Sequence, residues 1–403
     1  MASKKVAFLY EVFLFQKYLK QMEKSIEDAE IVFFFPAYHL GGAERVHADI
    51  LANFADYRTH CVLTVKSVDD FFKEDFTRYT EITDIGSLRS LVYPYYAKRI
   101  ASLINRKAQA IVFGCNSRFF YQMLPYLKPN VKVIDLLHAF SFDANAAESI
   151  SLPVAERIDT RIVLGEKTKG DFRRQYREAG KPESLLERIK IIPNKVDAPA
   201  VLPQKPENEK LKILFVGRNS PEKRPELFLE IAKKAAERKL PAEFYLIGDF
   251  EGMSVPYPNV HIVGSIREKA RLNTYYQSAD LLLITSWREG LPMVVLEGMA
   301  YGVVPVSTDV GEIAHFINDK NRNGWIVPDD TLARYAAGEA VSLQDLAPCV
   351  ECFIKQIEYA LENQAELAEY RENAYRSVKQ DFSAETNRKA YLALMAENGL
   401  KLR

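Results

Sequence analysis

From residue 31 onward the chain alternates short runs of β-branched and aromatic residues with longer stretches of helical spacing. IVFFF (31–35), CVLTV (61–65), AIVFG (110–114), VKVIDLL (131–137), RIVLG (161–165) and IKIIP (189–193) predict strands. Between them AERVHADILANFA and SRFFYQMLPYL carry apolar residues three and four apart and predict helices. A polar stretch with several prolines, DAPAVLPQKPENEK (197–210), breaks the pattern. The alternation then restarts with ILFVG (213–217), EFYLIG (243–248), VHIVG (260–264), DLLLIT (280–285) and VVPVS (303–307), with helices such as PELFLEIAKKAAERK between them. Beyond about residue 343 only helical spacing remains. This order predicts an α/β protein with mostly parallel sheets: one domain over 31–200, a second over 201–380, and a C-terminal helix over 381–403 that caps the second domain or crosses back to the first. Ligands bind such sheets beyond the carboxyl ends of the strands, so the chemistry is sought in the loop after each strand.

Residues 1–30 stand outside the alternation. VAFLYEVFLFQKYL is strongly apolar, yet Glu11, Gln16 and Lys17 interrupt it well short of the ~20 apolar residues of a membrane span. It reads as an element packed on the protein or at a dimer interface, with an amphipathic helix on a membrane surface as the alternative. The expected location is cytoplasmic, with peripheral contact to the inner face of the cell membrane left open.

Composition narrows the class. The 403 residues carry 54 Lys+Arg and 54 Asp+Glu, so a dedicated nucleic-acid binder, which needs a basic surplus, is disfavoured. Residues 1–200 hold 29 basic and 25 acidic side chains, leaving 25 and 29 for the rest. The basic run DFRRQYREAGK (171–181) reads first as a solvated helix face and second as a surface for an anionic lipid or acceptor. Four cysteines are too few and scattered for a disulfide framework. Cys349 and Cys352 form a C-x-x-C on an amphipathic helical pattern with no second ligand pair nearby in sequence, which favours core thiols over zinc.

The most informative segment is SWREGLPMVVLEGMAYGVVPVSTDVG (286–311), which comes directly after the predicted strand DLLLIT. Pro292 suits the first turn of a helix. Glu289 falls in the connecting loop, and Glu297 lies inside the apolar helix MVVLEGMA, where an ionised side chain is costly unless something hydrogen-bonds it. A helix start with free amides between two carboxylates is a place for a polar ligand.

This string resembles the donor-binding signature of the retaining glycosyltransferases of family 4, whose fold is GT-B: two Rossmann-like α/β/α domains facing across a cleft. The resemblance implies that Glu289 contacts donor-sugar hydroxyls, that Glu297 holds ribose hydroxyls, and that amides near Leu291, Pro292 and Met293 approach the sugar and phosphate. ILFVGRNSPEKRPELFLEIAKKA resembles the start of that family's nucleotide-binding domain, which gives Arg218 and Lys223 the donor diphosphate. Taken alone, the pair reads equally as a surface cluster with Arg224. FFFPAYHLGGAERV resembles the family's glycine-bearing loop, with Gly41 and Gly42 beside the donor phosphate. His138, after VKVIDLL, matches a position where the family places a His beside the reacting sugar.

Two departures stand out. Lys195 replaces the glycine of the family's Asn-Gly-Val-Asp, which points to an altered turn. After STDVG the chain has Glu312 and His315 where the family commonly has a second glycine and then an acid. The resemblance spans about residues 31–330 and implies a retaining hexosyltransferase acting without a metal, since no Asp-x-Asp occurs in the chain. No cofactor is expected. The implied partners are a UDP- or GDP-linked nucleotide sugar and a glycan or glycolipid acceptor, with a role in bacterial surface polysaccharide synthesis. The alternatives are a GT-B-like sugar-nucleotide epimerase and a non-catalytic sugar-nucleotide-binding partner protein. A nicotinamide dehydrogenase is disfavoured, since neither domain start carries G-x-G-x-x-G.

Overall fold

A computed structural model describes residues 2–88, 93–141, 143–206, 208–318 and 320–403, and only the backbone of residues 2–10. Contacts divide the chain into two units, residues 1–193 with 387–403, and residues 194–386.

The first unit is built on seven strands, β1 (Ile31–Phe35), β2 (Thr59–Leu63), β3 (Glu81–Asp84), β4 (Ala110–Cys115), β5 (Val131–Leu137), β6 (Thr160–Val163) and β7 (Ile189–Ile191). Their order is β3-β2-β1-β4-β5-β6-β7 and every pairing is parallel. Strands covered on both faces by helices read as continuous apolar runs, and all five residues of β1 are buried. β3 has no apolar run to mark it in the sequence, because its residues, EITD, carry one aliphatic side chain. The parallel register sets Asp135 of β5 opposite Arg161 of β6, and the two make a buried ion pair with Nη2 2.7 Å from Oδ2. The Tyr121 hydroxyl donates to the same carboxylate, and the guanidinium reaches the hydroxyls of Tyr176 and Ser151 while lying over the Phe172 ring.

The N-terminal segment is a helix, Ala2–Asp28. Glu11, Phe15, Leu19, Met22 and Ile26 are buried at spacings of three and four, and the last four join a core that includes Tyr96, Ile100 and Ile104 of the helix Tyr93–Ile104. This is the packed reading of the segment, although residues 6–10 lie outside the side chains described. No helix among the described residues is long and apolar enough to cross a membrane. The basic run forms most of the helix Glu166–Glu178, burying Phe172, Gln175 and Tyr176 and exposing Arg173, Arg174 and Arg177 in the pattern of a solvated face. The last helix, Ala384–Glu397, supplies Tyr391 against Phe54 and Phe113, and Asn387 accepts from Asn53 at 2.8 Å.

The second unit carries six parallel strands, β8 (Leu211–Val216), β9 (Ala242–Ile247), β10 (Val260–Gly264), β11 (Leu281–Ile284), β12 (Val304–Thr308) and β13 (Trp325–Val327), ordered β10-β9-β8-β11-β12-β13. Within the unit this is the doubly wound order 3-2-1-4-5-6. β13 is only three residues long, too short to leave a strand pattern in the sequence. The helix Ala347–Glu362 holds the C-x-x-C, with Cys349 buried in the core of this unit and both thiols free.

Candidate functional site

In each sheet the strand order reverses at one place, between β1 and β4 and between β8 and β11. Helices leave such a point on opposite faces and open a crevice beyond the strand ends. Gly41 and Gly42 follow β1, Arg218 and Lys223 follow β8, and Glu289 follows β11, at these points; His138 follows β5, one strand further along its sheet, and Glu297 lies within the helix Met293–Met299.

In the second unit β8 ends at Val216, and the next segment makes a short 3₁₀ turn, Pro221–Lys223, before the helix Pro225–Glu237. Lys223 Nζ lies 2.6 Å from Glu289 Oε1, which also accepts from the Ser286 hydroxyl at 2.5 Å. Glu289 and Ser286 come after β11, so this cluster joins both sides of the switch point. Lys223 and Glu289 are half-buried, and an ion pair in that setting is a stronger electrostatic feature than one in open water. Arg218 is exposed and makes no ion pair among the described residues; the two cations predicted together therefore differ in environment.

Arg224 does not belong to a surface cluster. It is fully buried, pairs with Asp329 at 2.7 Å, donates from Nε to the Thr285 carbonyl, and lies 3.9 Å from the centre of the Trp287 ring, itself stacked on Tyr335. Its backbone is left-handed, at φ 49°, a conformation costly for a side chain with a Cβ and here imposed at the start of the Pro225 helix. Thr285 Oγ1 sits 2.9 Å from the Lys223 carbonyl and 3.0 Å from that of Arg224. These contacts fix the backbone of Lys223 against the end of β11. Arg224 is thus the scaffold of the Lys223 position.

The loop 286–292 is braced from a second side. Gly311 sits at φ 57°, and a Cβ there would lie 2.2 Å from the Gly290 carbonyl oxygen. The next amide, of Glu312, donates to that same oxygen at 2.9 Å. Where the family pattern has another glycine, the Glu312 side chain is buried with a carboxylate oxygen 3.7 Å from His315 Nδ1. Asn194, also buried, donates to the Leu291 carbonyl at 3.3 Å. Lys195 is not among the residues with positive φ, so its backbone is one that any residue adopts. Pro292 precedes the helix Met293–Met299, and Glu297 on it accepts from the hydroxyl of buried Tyr276 at 3.3 Å. Burial and the adjacent Glu297 both push the Tyr276 phenol well above its ordinary range, which keeps it a hydrogen-bond donor.

In the first unit Gly41 and Gly42 come after β1 and start the helix Gly42–Asn53. Neither has a positive φ. A Cβ on Gly42 would meet nothing within 4 Å, while one on Gly41 would meet only the Glu44 carboxylate. Backbone conformation therefore does not require either glycine. His138 comes directly after β5 and is half-buried; its Nε2 lies 3.1 Å from His47 Nε2 and 3.3 Å from Cys115 Sγ. Burial holds both imidazoles neutral, His138 down to about 4 and His47 well below its ordinary value, and pushes the Cys115 thiol well up. His47 and Cys115 have no sequence signal of their own: one sits on an ordinary amphipathic helix and the other ends an apolar strand.

Comparison with known proteins meets this geometry at the second switch point. Residues 210–344 match the family model of the glycosyl transferases group 1. That span holds Arg218, Lys223, Glu289, Glu297 and the loop between the last two. Among curated proteins, D-inositol 3-phosphate glycosyltransferase 2 of Catenulispora acidiphila is 28% identical over 145 residues, which is 32% of this chain and 34% of that protein. The chain spans about a third of the length of the curated relatives it matches. Among solved structures, HepE of Anabaena in complex with UDP superposes with a TM-score of 0.69 at 16% identity, over 91% of this chain and 100% of that one. The lipopolysaccharide outer core galactosyltransferase WaaB, in apo form, gives 0.65 at 17% identity, over 91% and 99%. At such identities the likeness establishes the fold, and the fold is GT-B, as the sequence resemblance implies.

Proposed function

We propose that the protein is a retaining glycosyltransferase of the family 4 type, moving a hexose from a nucleotide-diphosphate donor to a glycan or glycolipid acceptor. The observation that carries the proposal is the Lys223–Glu289–Ser286 cluster at the β8/β11 switch point, inside the segment matched to glycosyl transferases group 1. A leaving nucleoside diphosphate requires positive charge as the glycosidic bond breaks, and a preorganised ammonium supplies it without reorganisation. Lys223 would exchange Glu289 for the diphosphate and Arg218, exposed beside it in sequence, would fold onto the same oxygens. Glu289, released from the lysine, would accept hydrogen bonds from sugar hydroxyls, with Glu297 taking the ribose. The amides near Leu291, Pro292 and Met293 would meet sugar and phosphate.

In the first unit Gly41 and Gly42 would meet the donor phosphate, and His138 would stand beside the reacting sugar. Retention results when the acceptor hydroxyl attacks from the leaving-group side and gives its proton to the departing phosphate, a route that uses no side-chain nucleophile. HepE is solved in complex with UDP, which favours UDP over GDP as the first base to test. The same reading places the protein in the cytoplasm, with surface polysaccharide as the product class.

Thermal-shift titration with UDP-, GDP-, ADP- and CMP-sugars identifies the donor, because a ligand that binds only the folded state raises Tm by mass action. With that donor, Lys223→Ala should lower turnover by about 10² to 10³ while the folded structure persists. Full activity in Lys223→Ala, or no stabilisation by any sugar nucleotide, would remove the reading.

A further inference from the structure

Apart from the Lys223–Glu289–Ser286 cluster, the first unit gathers three metal-ligating side chains from three parts of the chain, among them the His138 that the proposed function sets beside the reacting sugar. His47 comes from the helix after β1, Cys115 is the last residue of β4, and His138 is the first residue after β5. Their nearest ligand atoms all lie within 4.8 Å of one another. His138 Nε2 is the hub, 3.1 Å from His47 Nε2 and 3.3 Å from Cys115 Sγ.

Hydrogen bonding alone does not satisfy this arrangement. A neutral imidazole carries one N–H and one lone pair, and a thiol is a weak donor and acceptor. At His138 Nε2 a single N–H would face two acceptors, or a single lone pair two donors. His47 Nδ1 is buried with no hydrogen-bond partner among the described residues, so Nε2, the atom that faces His138, is the polar contact of that ring. A cation placed among the three donors engages a lone pair from each simultaneously.

We propose that His47, Cys115 and His138 form a site for a borderline-soft divalent cation, with Zn²⁺ the fitting ion and the fourth position open to water or a ligand. The dimensions agree. Zinc bound at about 2.0–2.1 Å from nitrogen and 2.3 Å from sulfur, with tetrahedral angles, holds its donors about 3.3 Å apart for N···N and about 3.6 Å for N···S. The two short separations open by a few tenths of an ångström, and the third pair already lies within 4.8 Å. His47 is held for this by its ring, stacked on Phe35 at 4.3 Å and 7°. The donor set of two imidazoles and one thiolate suits zinc over magnesium or calcium, which take oxygen ligands. On binding, the S–H bond breaks, the proton leaves to solvent, and the thiolate pair forms the Zn–S bond. The carboxylates of Asp135, Glu44 and Glu148 act on Cys115 through space and favour a cation nearby. His47 Nδ1 has no outer partner to orient it, so affinity falls about 10- to 100-fold below that of a site with a completed outer shell. The proposal shares His138 with the transferase reading but is tested apart from it, because metal binding is measured directly.

The test is titration of the purified full-length chain with Zn²⁺, Cd²⁺ and Co²⁺. The expected results are one high-affinity ion per chain, a sulfur-to-cadmium charge-transfer band, and the visible spectrum of tetrahedral Co²⁺. Cys115→Ser should abolish the band and weaken binding at least about 100-fold, a larger loss than that of an outer-shell partner. The Cys349→Ser/Cys352→Ser chain should keep both. Should Cys115→Ser fail to fold, X-ray absorption at the zinc edge of the unsubstituted protein decides, with a shell of two nitrogens and one sulfur at the distances above. A shell of light atoms alone, a band that survives Cys115→Ser, or a band lost only with Cys349 and Cys352 overturns the site.

Discussion

The Arg224–Asp329 pair offers the sharpest test of how the second unit holds its loops. Both side chains are fully buried, 2.7 Å apart. Arg224→Met keeps an apolar body over Trp287 but leaves the Asp329 carboxylate without its counter-charge, with the amide and hydroxyl of Thr331 and the Cys349 thiol as its remaining donors. Asp329→Asn leaves the guanidinium without a counter-charge. Removing one partner of a buried pair costs about 3–5 kcal/mol, whereas replacing both by apolar residues is often neutral or stabilising. Each single variant is therefore expected to lose about 3–5 kcal/mol, and Arg224→Met/Asp329→Leu to lose far less than the sum. For a unit of this size that corresponds to a fall in Tm of about 6–20 °C per single variant. The assay is built into the sequence: both tryptophans, Trp287 and Trp325, lie in residues 194–386, so urea unfolding monitored by tryptophan fluorescence reports this unit. Additive costs in the double variant, or single costs under about 1 kcal/mol, would refute the claim that the pair acts as one buried unit.

Three further outcomes are expected. Burial lowers the His60 imidazole, which lies 3.1 Å from the Thr83 hydroxyl, from 6.5 to about 4. The unfolded chain takes up this proton first as pH falls, so stability present above about 6.5 declines toward pH 4 by up to about 3 kcal/mol; hydrogen exchange at β2 amides should show that decline, and His60→Gln should reduce it. Gly42→Ala should leave stability unchanged or raised by up to about 1 kcal/mol, since the Cβ meets nothing within 4 Å, yet lower transfer activity; unchanged turnover argues against a phosphate at that loop. Gly311→Ala places a Cβ 2.2 Å from the Gly290 oxygen at φ 57° and should cost at least about 2 kcal/mol by tryptophan-monitored unfolding, with a raised KM for the sugar nucleotide.

The class of fold was legible because parallel strands buried on both faces leave a plain signal. IVFFF and VKVIDLL are apolar enough to be read without neighbours, and β1 and β5 match those limits. β3 and β13 were not legible for the same reason inverted: EITD and WIV are short and gain their places from pairing with β2 and β12. The N-terminal helix lay between, since its spacing of three and four marks a buried stripe but not what covers it. The ion pair of Asp135 and Arg161 illustrates the limit. Two charges inside apolar strands looked like ordinary strand residues, and only the register of β5 on β6 shows that they neutralise one another.

The site divides along the same line. Lys223, Glu289 and Glu297 were visible because one short stretch after each strand carries them with fixed spacing, and the structure brings Lys223 to Glu289. What sequence could not supply was the partner of each. Arg224 stands next to Lys223 and has the same charge, so composition assigns both to one cluster; Asp329, 105 residues away, is what takes Arg224 into the core and leaves Lys223 facing the loop. Likewise Gly42 and His138 are separated in the chain, and His47 and Cys115 became relevant only when β1, β4 and β5 aligned their ends. Chemistry that depends on one loop is written locally, whereas chemistry that depends on strand order appears once the sheet is assembled. A search confined to motifs would therefore recover the second unit's cluster and miss the first unit's His–Cys–His group, which draws His47 and Cys115 from the β1/β4 switch point and His138 from the adjacent β5.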